Sequence, residues 1–331
     1  VVLCYYVFRY DDTGRELLEL LAQKAEEGVP VYLLFDGWGA FGLAILRRLA
    51  PYRKRGVRAV PFGRVVNPLR MSRINFRNHR KIVVIDGAVA YTGSTNIGDE
   101  YLGRSTRYGP WRDFHMRLTG EAASVLEAVF AEDWYIATRE TLDFPPAPAG
   151  EEGGTSLHVL PTGPDIEEDR LYPLLFAQIG HAARSVEIMT PYLVPNQGLI
   201  AALSVAARLG VRVRILLPHH SNHPMVAAAG RSHYLDLLEG GVEIYETRKA
   251  MLHAKAFLVD GEWAMVGSAN FDNRSFFLNF EINVATEDTR FVESVAEQFE
   301  LWTREAESVT LESLDRRSRA VKFFDSFCRI L

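Results

Sequence analysis

The sequence predicts an α/β protein made of two copies of one unit, and three observations carry that prediction. Strand, helix and strand signals follow one another in the same order in both halves, the halves close on similar aromatic-bearing helices, and a proline- and glycine-rich stretch separates them. At 331 residues, 48% hydrophobic and 24% charged, the chain has ordinary globular composition and length enough for about two domains.

The elements follow in order. Val1-Val2-Leu3-Cys4-Tyr5-Tyr6-Val7-Phe8 reads as a buried strand. An opening inside a strand leads us to expect more of the natural chain upstream. Thr13-Gly14-Arg15-Glu16 has the pattern of a capping box, Leu17, Leu18, Leu21 and Ala25 follow at helical spacing, and Gly28 precedes a strand over 29–35. In the second half Asn196 is the expected cap. Leu199, Ala202, Leu203 and Ala206 form the stripe, and Gly210 precedes a strand over 211–217. Helices near 121–138 and 291–305 carry Phe130 with Trp134 and Phe299 with Trp302, aromatic pairs placed to anchor a core. Phe144-Pro145-Pro146-Ala147-Pro148-Ala149-Gly150, with Gly153-Gly154, reads as a linker. We therefore divide the chain into a first repeat over 1–140, a linker over 141–156 and a second repeat over 157–331. An extra helix near 168–183 precedes the second repeat's first strand, and its counterpart would lie before Val1.

Composition narrows the function. The formal charge of −5 supplies no dominant basic footprint, so no nucleic-acid partner is expected. Cys4 and Cys328 are too few for a disulfide framework and read as free thiols. No uninterrupted apolar run is long enough to span a bilayer.

The chemistry lies in a motif that occurs twice. The first copy is Asn78-His79-Arg80-Lys81-Ile82-Val83-Val84-Ile85-Asp86, followed by Gly93-Ser94-Thr95-Asn96; the second is Leu252-His253-Ala254-Lys255-Ala256-Phe257-Leu258-Val259-Asp260, followed by Gly267-Ser268-Ala269-Asn270. Residues two apart on a strand share a face, so each histidine points with its lysine. Asp86-Gly87 and Asp260-Gly261 make hairpin turns, and the returning strands deliver Ser94 with Asn96 and Ser268 with Asn270. Further on, Asp113 and Glu281 enter predicted strands as carboxylates able to accept a proton from a histidine nitrogen and fix its tautomer. With each required residue at about 5% frequency, one histidine matches the spacing by chance roughly once in 400. Two matches at equivalent repeat positions are far rarer. A lysine beside each histidine repels a cation, and no Cys/His ligand cluster accompanies them, so no metal or other cofactor is expected.

These paired HxKxxxxD signatures with their GSxN returns resemble the phospholipase D superfamily over nearly the whole chain. Longer strings are similar to bacterial cardiolipin synthases: Asn78-His79-Arg80-Lys81-Ile82, Gly109-Pro110-Trp111-Arg112-Asp113, Thr190-Pro191-Tyr192-Leu193-Val194-Pro195 and Gly267-Ser268-Ala269-Asn270-Phe271-Asp272-Asn273-Arg274-Ser275 among them. Ser94 stands where glycine is expected at least as often. The resemblance implies two pseudo-symmetric α/β/α sandwich repeats sharing one active site at their interface. It implies His79, Lys81, Asp86, His253, Lys255 and Asp260 as catalytic, with Ser94, Asn96, Ser268 and Asn270 on the substrate phosphate. It further implies a covalent phosphatidyl-histidine on His79, with His253 as acid and base; near-symmetry leaves the reverse order open. The expected substrate is phosphatidylglycerol at an anionic membrane surface. The expected location is the bacterial cell membrane, with the protein peripheral or anchored by a preceding segment and its catalytic core cytoplasmic. Cardiolipin synthesis, hydrolysis to phosphatidic acid and a nuclease activity share the chemistry up to the intermediate, and the longer strings favour synthesis. A catalytically silent scaffold is disfavoured because both signatures are intact.

Weaker features remain. His219, His220 and His223 sit in a polar loop at the end of a strand, where α/β sheets often place ligands, although a solvated loop is the favoured reading. Arg274 and Asp272 are placed to stabilise the loop after the second signature. On a helix, Ala320, Phe323, Phe324 and Phe327 share one face while Arg319, Lys322 and Arg329 lie largely off it. That face either packs on the core or beds in a lipid interface.

Overall fold

A computed structural model of the protein describes residues 1–45, 47–63, 75–104, 109–145, 154–166 and 170–329. Its first sheet runs, in spatial order, Arg58–Phe62, Tyr32–Asp36, Val2–Tyr5, Ile82–Ile85, Val89–Gly93 and His115–Thr119. The second repeats the pattern as Glu243–Thr247, Arg212–Pro218, Ser185–Met189, Ala256–Val259, Trp263–Gly267 and Asn279–Thr286. In each, the first three strands are parallel and the next three antiparallel. Glu307–Val309 and His158–Thr162 extend the second sheet.

Each sheet is covered on both faces, because its central strands are apolar on both. Helix Asp12–Glu26 buries Leu18, Leu21 and Ala22 against Leu3, Leu33 and Phe35. Helix Glu121–Thr138 covers the other face with Phe130 and Trp134. In the second repeat, helices Leu171–His181 and Gln197–Arg208 cover one face, and Thr289–Arg304 covers the other with Phe299 and Trp302. Each such aromatic contributes roughly 1.5–3 kcal/mol through burial.

Local chemistry differs from expectation in several places. The first helix is capped by Asp11, whose Oδ1 accepts the amide of Gly14 at 3.0 Å, and not by Thr13. Thr13 lies inside the helix, past the capping position, and its hydroxyl donates to Asp99 at 2.6 Å. Asn196 caps as expected, accepting from Leu199 at 3.0 Å. Asp113 stands just beyond the short strand Trp111–Arg112 rather than inside one. The expected start of the extra helix and residues 146–153 of the expected linker lie outside the described residues.

The repeats are stitched together by exchanged edges. Arg77–Asn78, from the first half, pairs in parallel with Asn279–Phe280 of the second sheet. Met251–Leu252, from the second half, pairs in parallel with Trp111–Arg112 of the first. These strands run directly into the two histidines, so the exchange places both signatures at one interface.

Candidate active site

The backbone fixes each histidine against the opposite repeat. The His79 amide donates to the carbonyl of Phe280 at 2.9 Å, and the His253 amide to that of Arg112 at 2.7 Å. Nδ1 of His79 then donates to Glu281 Oε2 at 2.8 Å, and Nδ1 of His253 lies 3.1 Å from both oxygens of Asp113. Each repeat therefore supplies the carboxylate that orients the other's histidine. The sequence identified both carboxylates, but not that the pairing crosses the interface.

Ser94 and Ser268 are not free to meet a phosphate. Ser94 donates to Asp113 and accepts the amide of Phe114; Ser268 donates to Glu281 at 2.5 Å and accepts the amide of Ile282 at 2.9 Å. Their hydroxyls hold the carboxylates that hold the histidines. The preceding glycines allow this approach: a Cβ on Gly93 would lie 2.3 Å from the Phe114 carbonyl, and one on Gly267 2.3 Å from Asn283 Oδ1. Asn96 is buried and its Oδ1 accepts the Val7 amide at 3.2 Å, whereas the buried Oδ1 of Asn270 has no hydrogen-bond partner among the described residues.

Asp86 and Asp260, expected among the catalytic groups, are not brought to this cluster. The strands Ile82–Ile85 and Ala256–Val259 carry them to the far ends of the hairpins. There Asp86-Gly87 and Asp260-Gly261 have φ of 53°, 63°, 57° and 64°, left-handed positions that glycine and aspartate tolerate, in the connections 86–88 and 260–262 between paired strands. The Asp260 carboxylate also accepts the amides of Ala183, Arg184 and Ser185.

Electrostatics follow from burial. Both imidazoles are buried, and desolvation, opposed by their carboxylates, lowers each pKa to about 4, so both are neutral near pH 7. Burial also works to raise Glu281 and Asp113, but the histidines, lysines and serines around them hold both below the usual carboxylate range. Lys81 is wholly buried; its Nζ donates to the His79 carbonyl at 2.7 Å, and desolvation lowers its pKa to about 8. Lys255 donates to the His253 carbonyl at 2.5 Å, and burial pushes it well below the ordinary lysine value. The result is two neutral imidazoles with fixed tautomers beside two buried lysines whose Nζ atoms donate to backbone carbonyls. Such a site can attack, protonate and clasp an anion.

Four neighbours were not assigned roles from the sequence. The Tyr6 ring lies edge-on to His79 at 4.8 Å between centroids, and the Trp111 ring lies 5.4 Å from His253 while its Nε1 donates to Asp113 at 2.9 Å. Arg80, buried, donates to the Glu281 and Thr162 carbonyls at 3.0 Å each and to Asp133 at 2.6 Å. Asn78 completes that group, donating to Asp133 at 2.8 Å. Nothing in the sequence set Arg80 apart, since it stands between His79 and Lys81, ahead of the strand Ile82–Ile85. The weaker histidines lie elsewhere: Nδ1 of His219 meets Glu246 at 2.6 Å, and His223 packs on Tyr192 at 5.5 Å. Asp272 accepts the Ser275 amide at 2.7 Å and Arg274 reaches the Asn75 carbonyl at 2.8 Å, so both support the loop as expected. Among the described residues, no three His, Cys, Asp or Glu side chains are grouped to hold a metal ion.

Comparison with known proteins follows the same lines. Residues 1–134 and 175–302 match a family model described as "Cardiolipin synthase, PLD-like domain". A cardiolipin synthase of Geobacillus kaustophilus is 41% identical over 333 residues, which cover 99% of this chain and 66% of that protein. One from Geobacillus sp. strain WCH70 is 40% identical over 331 residues, with the same coverage. The chain thus spans just under two thirds of the length of these curated relatives. A phosphatidylserine synthase of Haemophilus influenzae shares the fold at a TM-score of 0.73 and 15% identity, over 99% of this chain and 87% of that one.

Proposed function

The chain belongs to the family of cardiolipin synthase, phospholipase D-like domains, and from that premise we propose that it transfers a phosphatidyl group from one phosphatidylglycerol to another and releases glycerol. The observation that carries the reading is the crossed pairing of two histidines with two carboxylates beside two buried lysines. With Nδ1 tied to Glu281, His79 presents Nε2 to phosphorus. Attack forms the P–N bond as the P–O bond to glycerol breaks, and His253, in its protonated form, gives the departing oxygen a proton. The negative charge of the bound phosphodiester restores to His253 the proton affinity that burial removes. The acceptor's hydroxyl then returns a proton to His253, its oxygen attacks phosphorus, and the P–N bond breaks.

Lys81 and Lys255 would neutralise the non-bridging oxygens as charge develops, and the side-chain amides of Asn96 and Asn270 would assist them. The proposed setting is an anionic surface of the bacterial cell membrane, with the catalytic core on the cytoplasmic side. Among the described residues no helix is long and apolar enough to cross a membrane. The test supplies head-group-labelled phosphatidylglycerol in bilayers and identifies the products. Cardiolipin with one free glycerol per turnover is expected. Phosphatidic acid alone, with acceptor abundant, would sink the synthase reading and leave a hydrolase.

A further inference from the structure

We infer that the outward face of the helix Arg319–Cys328 beds into an anionic lipid surface and holds the active site beside it. The inference rests on the proposed lipid substrate for the identity of that surface. Its physical basis is an amphipathic helix only half of whose apolar arc is used. Asp325 and Cys328 are buried, whereas Phe323 is 74% exposed, Phe327 50% and Phe324 46%. The side turned inward is fixed by charge and contact. Asp325 takes Arg231 at 2.7 Å and Arg317 at 3.7 Å, and Cys328 packs on Ala228 and Ala229 of the helix Pro224–Arg231. A salt bridge thus points the phenylalanines at solvent, the reverse of what a helix buried by its aromatic face would do.

Charge identifies the occupant. The segment from Leu311 to Arg329 carries five Lys or Arg against three Asp or Glu, a local excess of two cations in a chain whose formal charge is −5. Asp325 is committed inward together with Arg317, which leaves the excess unchanged, and Lys322 and Arg329 make surface ion pairs with Asp315 at 3.3 Å and Asp236 at 3.7 Å. Arg319, Lys322 and Arg329 flank the exposed rings, where cations meet anionic headgroups while aromatics enter the acyl boundary. A second copy of the chain, acidic overall and offering the same cations, is a poorer match for this face.

Position supplies the purpose. The supporting helix Pro224–Arg231 begins at His223, whose ring packs on Tyr192, and its core contacts include Val194. The strand Leu193–Val194 pairs with Phe271–Asp272, which directly follows the second signature's Gly267-Ser268-Ala269-Asn270. A helix seated in the headgroup layer is therefore linked to the phosphate-handling loop through the helix Pro224–Arg231 and the strand pair beneath it.

The test is sedimentation of the 331-residue chain with phosphatidylcholine vesicles, with and without phosphatidylglycerol. Phe323→Ser with Phe324→Ser and Phe327→Ser is compared with Arg319→Glu and with the parent, and folding is checked by circular dichroism. Hydrolysis of a soluble short-chain phosphodiester serves as the second readout. We expect the parent to prefer the anionic vesicles, the serine variant to bind at least about tenfold more weakly, and Arg319→Glu to lose only the anionic preference. Turnover of the soluble phosphodiester should be unchanged in both. Undiminished vesicle binding by a folded serine variant overturns the inference, as does a parent that binds neither vesicle. A change confined to self-association assigns the face to a second copy and overturns it equally. Failure of the synthase reading looks different: vesicles are bound, but no cardiolipin is formed.

Discussion

Glu281, which holds His79, gathers four side-chain donors, from His79, Ser268, Ser275 and Asn279. Asp113, which holds His253, gathers three, from His253, Ser94 and Trp111. The asymmetry deepens one residue along. Between histidine and lysine the first copy has Arg80, clamped to Asp133 and to two carbonyls of the opposite repeat, and the second has Ala254. Two frames of the same topology therefore hold their histidines with unequal stiffness. A nucleophile that must meet phosphorus in line gains from a rigid mount. A group that carries a proton first to one oxygen and then from another gains from some freedom. That difference supports the proposal that His79 attacks and His253 transfers the proton.

The strongest way to break that assignment is to remove each partner and change the leaving group. His79→Ala and Glu281→Gln are expected to slow transfer by at least about 10²–10⁴-fold, as are His253→Ala and Asp113→Asn. A phosphodiester with an acidic phenol as leaving group needs no general acid. Formation of the covalent intermediate from it should recover in His253→Ala and Asp113→Asn and stay lost in the other pair. Acid-quench trapping should find the phosphoryl group on His79. Label on His253, or rescue in the opposite pair, reverses the roles.

Making the first copy resemble the second is the next test. Arg80→Ala leaves Asp133 buried without its cation and should destabilise the fold by about 3–5 kcal/mol in chemical denaturation. Adding Asp133→Asn should recover part of that loss. If activity in the doubly substituted protein matched the parent, the clamp would matter to stability and not to the mounting of His79.

Proton affinity should separate the copies least. Both imidazoles are lowered to about 4, so both should stay neutral from pH 7 down to about 5 in an NMR titration of the empty protein. As pH falls toward 4 the nucleophile takes up a proton, and kcat/KM should fall with it. As pH rises through about 8, Lys81 loses the charge that receives phosphate, and kcat/KM should fall again. A single histidine titrating near its ordinary value would show that the two environments differ more than their shared burial implies.

Much of this was legible in the sequence because it is periodic or repeated. The strand and helix order, the Asn196 cap and the facing of histidine with lysine all depend on spacing along one segment. What escaped depends on which segment meets which. Ser94 and Ser268 were expected on the phosphate with Asn96 and Asn270, and nothing in that spacing shows that their hydroxyls are taken by carboxylates further along the chain. Asp86 and Asp260 recur as faithfully as the histidines, yet recurrence cannot separate a turn former from a reacting group. The C-terminal phenylalanines posed the same difficulty: periodicity defined a face, and only the Asp325–Arg231 contact decided which way it points.

The exchanged edge strands bear on ancestry. A residue of one half meeting its counterpart's partner in the other, and the reverse, is the rule of an isologous interface between identical subunits. Here that rule is kept inside one polypeptide: Arg77–Asn78 lies on the second sheet, Met251–Leu252 on the first, and each carboxylate serves the opposite histidine. A single ancestral half would have held no complete site except as a twofold dimer, in which both halves were bound to identical roles. Duplication and fusion remove that bond. Arg80 opposite Ala254 is what drift looks like once each half is free to specialise.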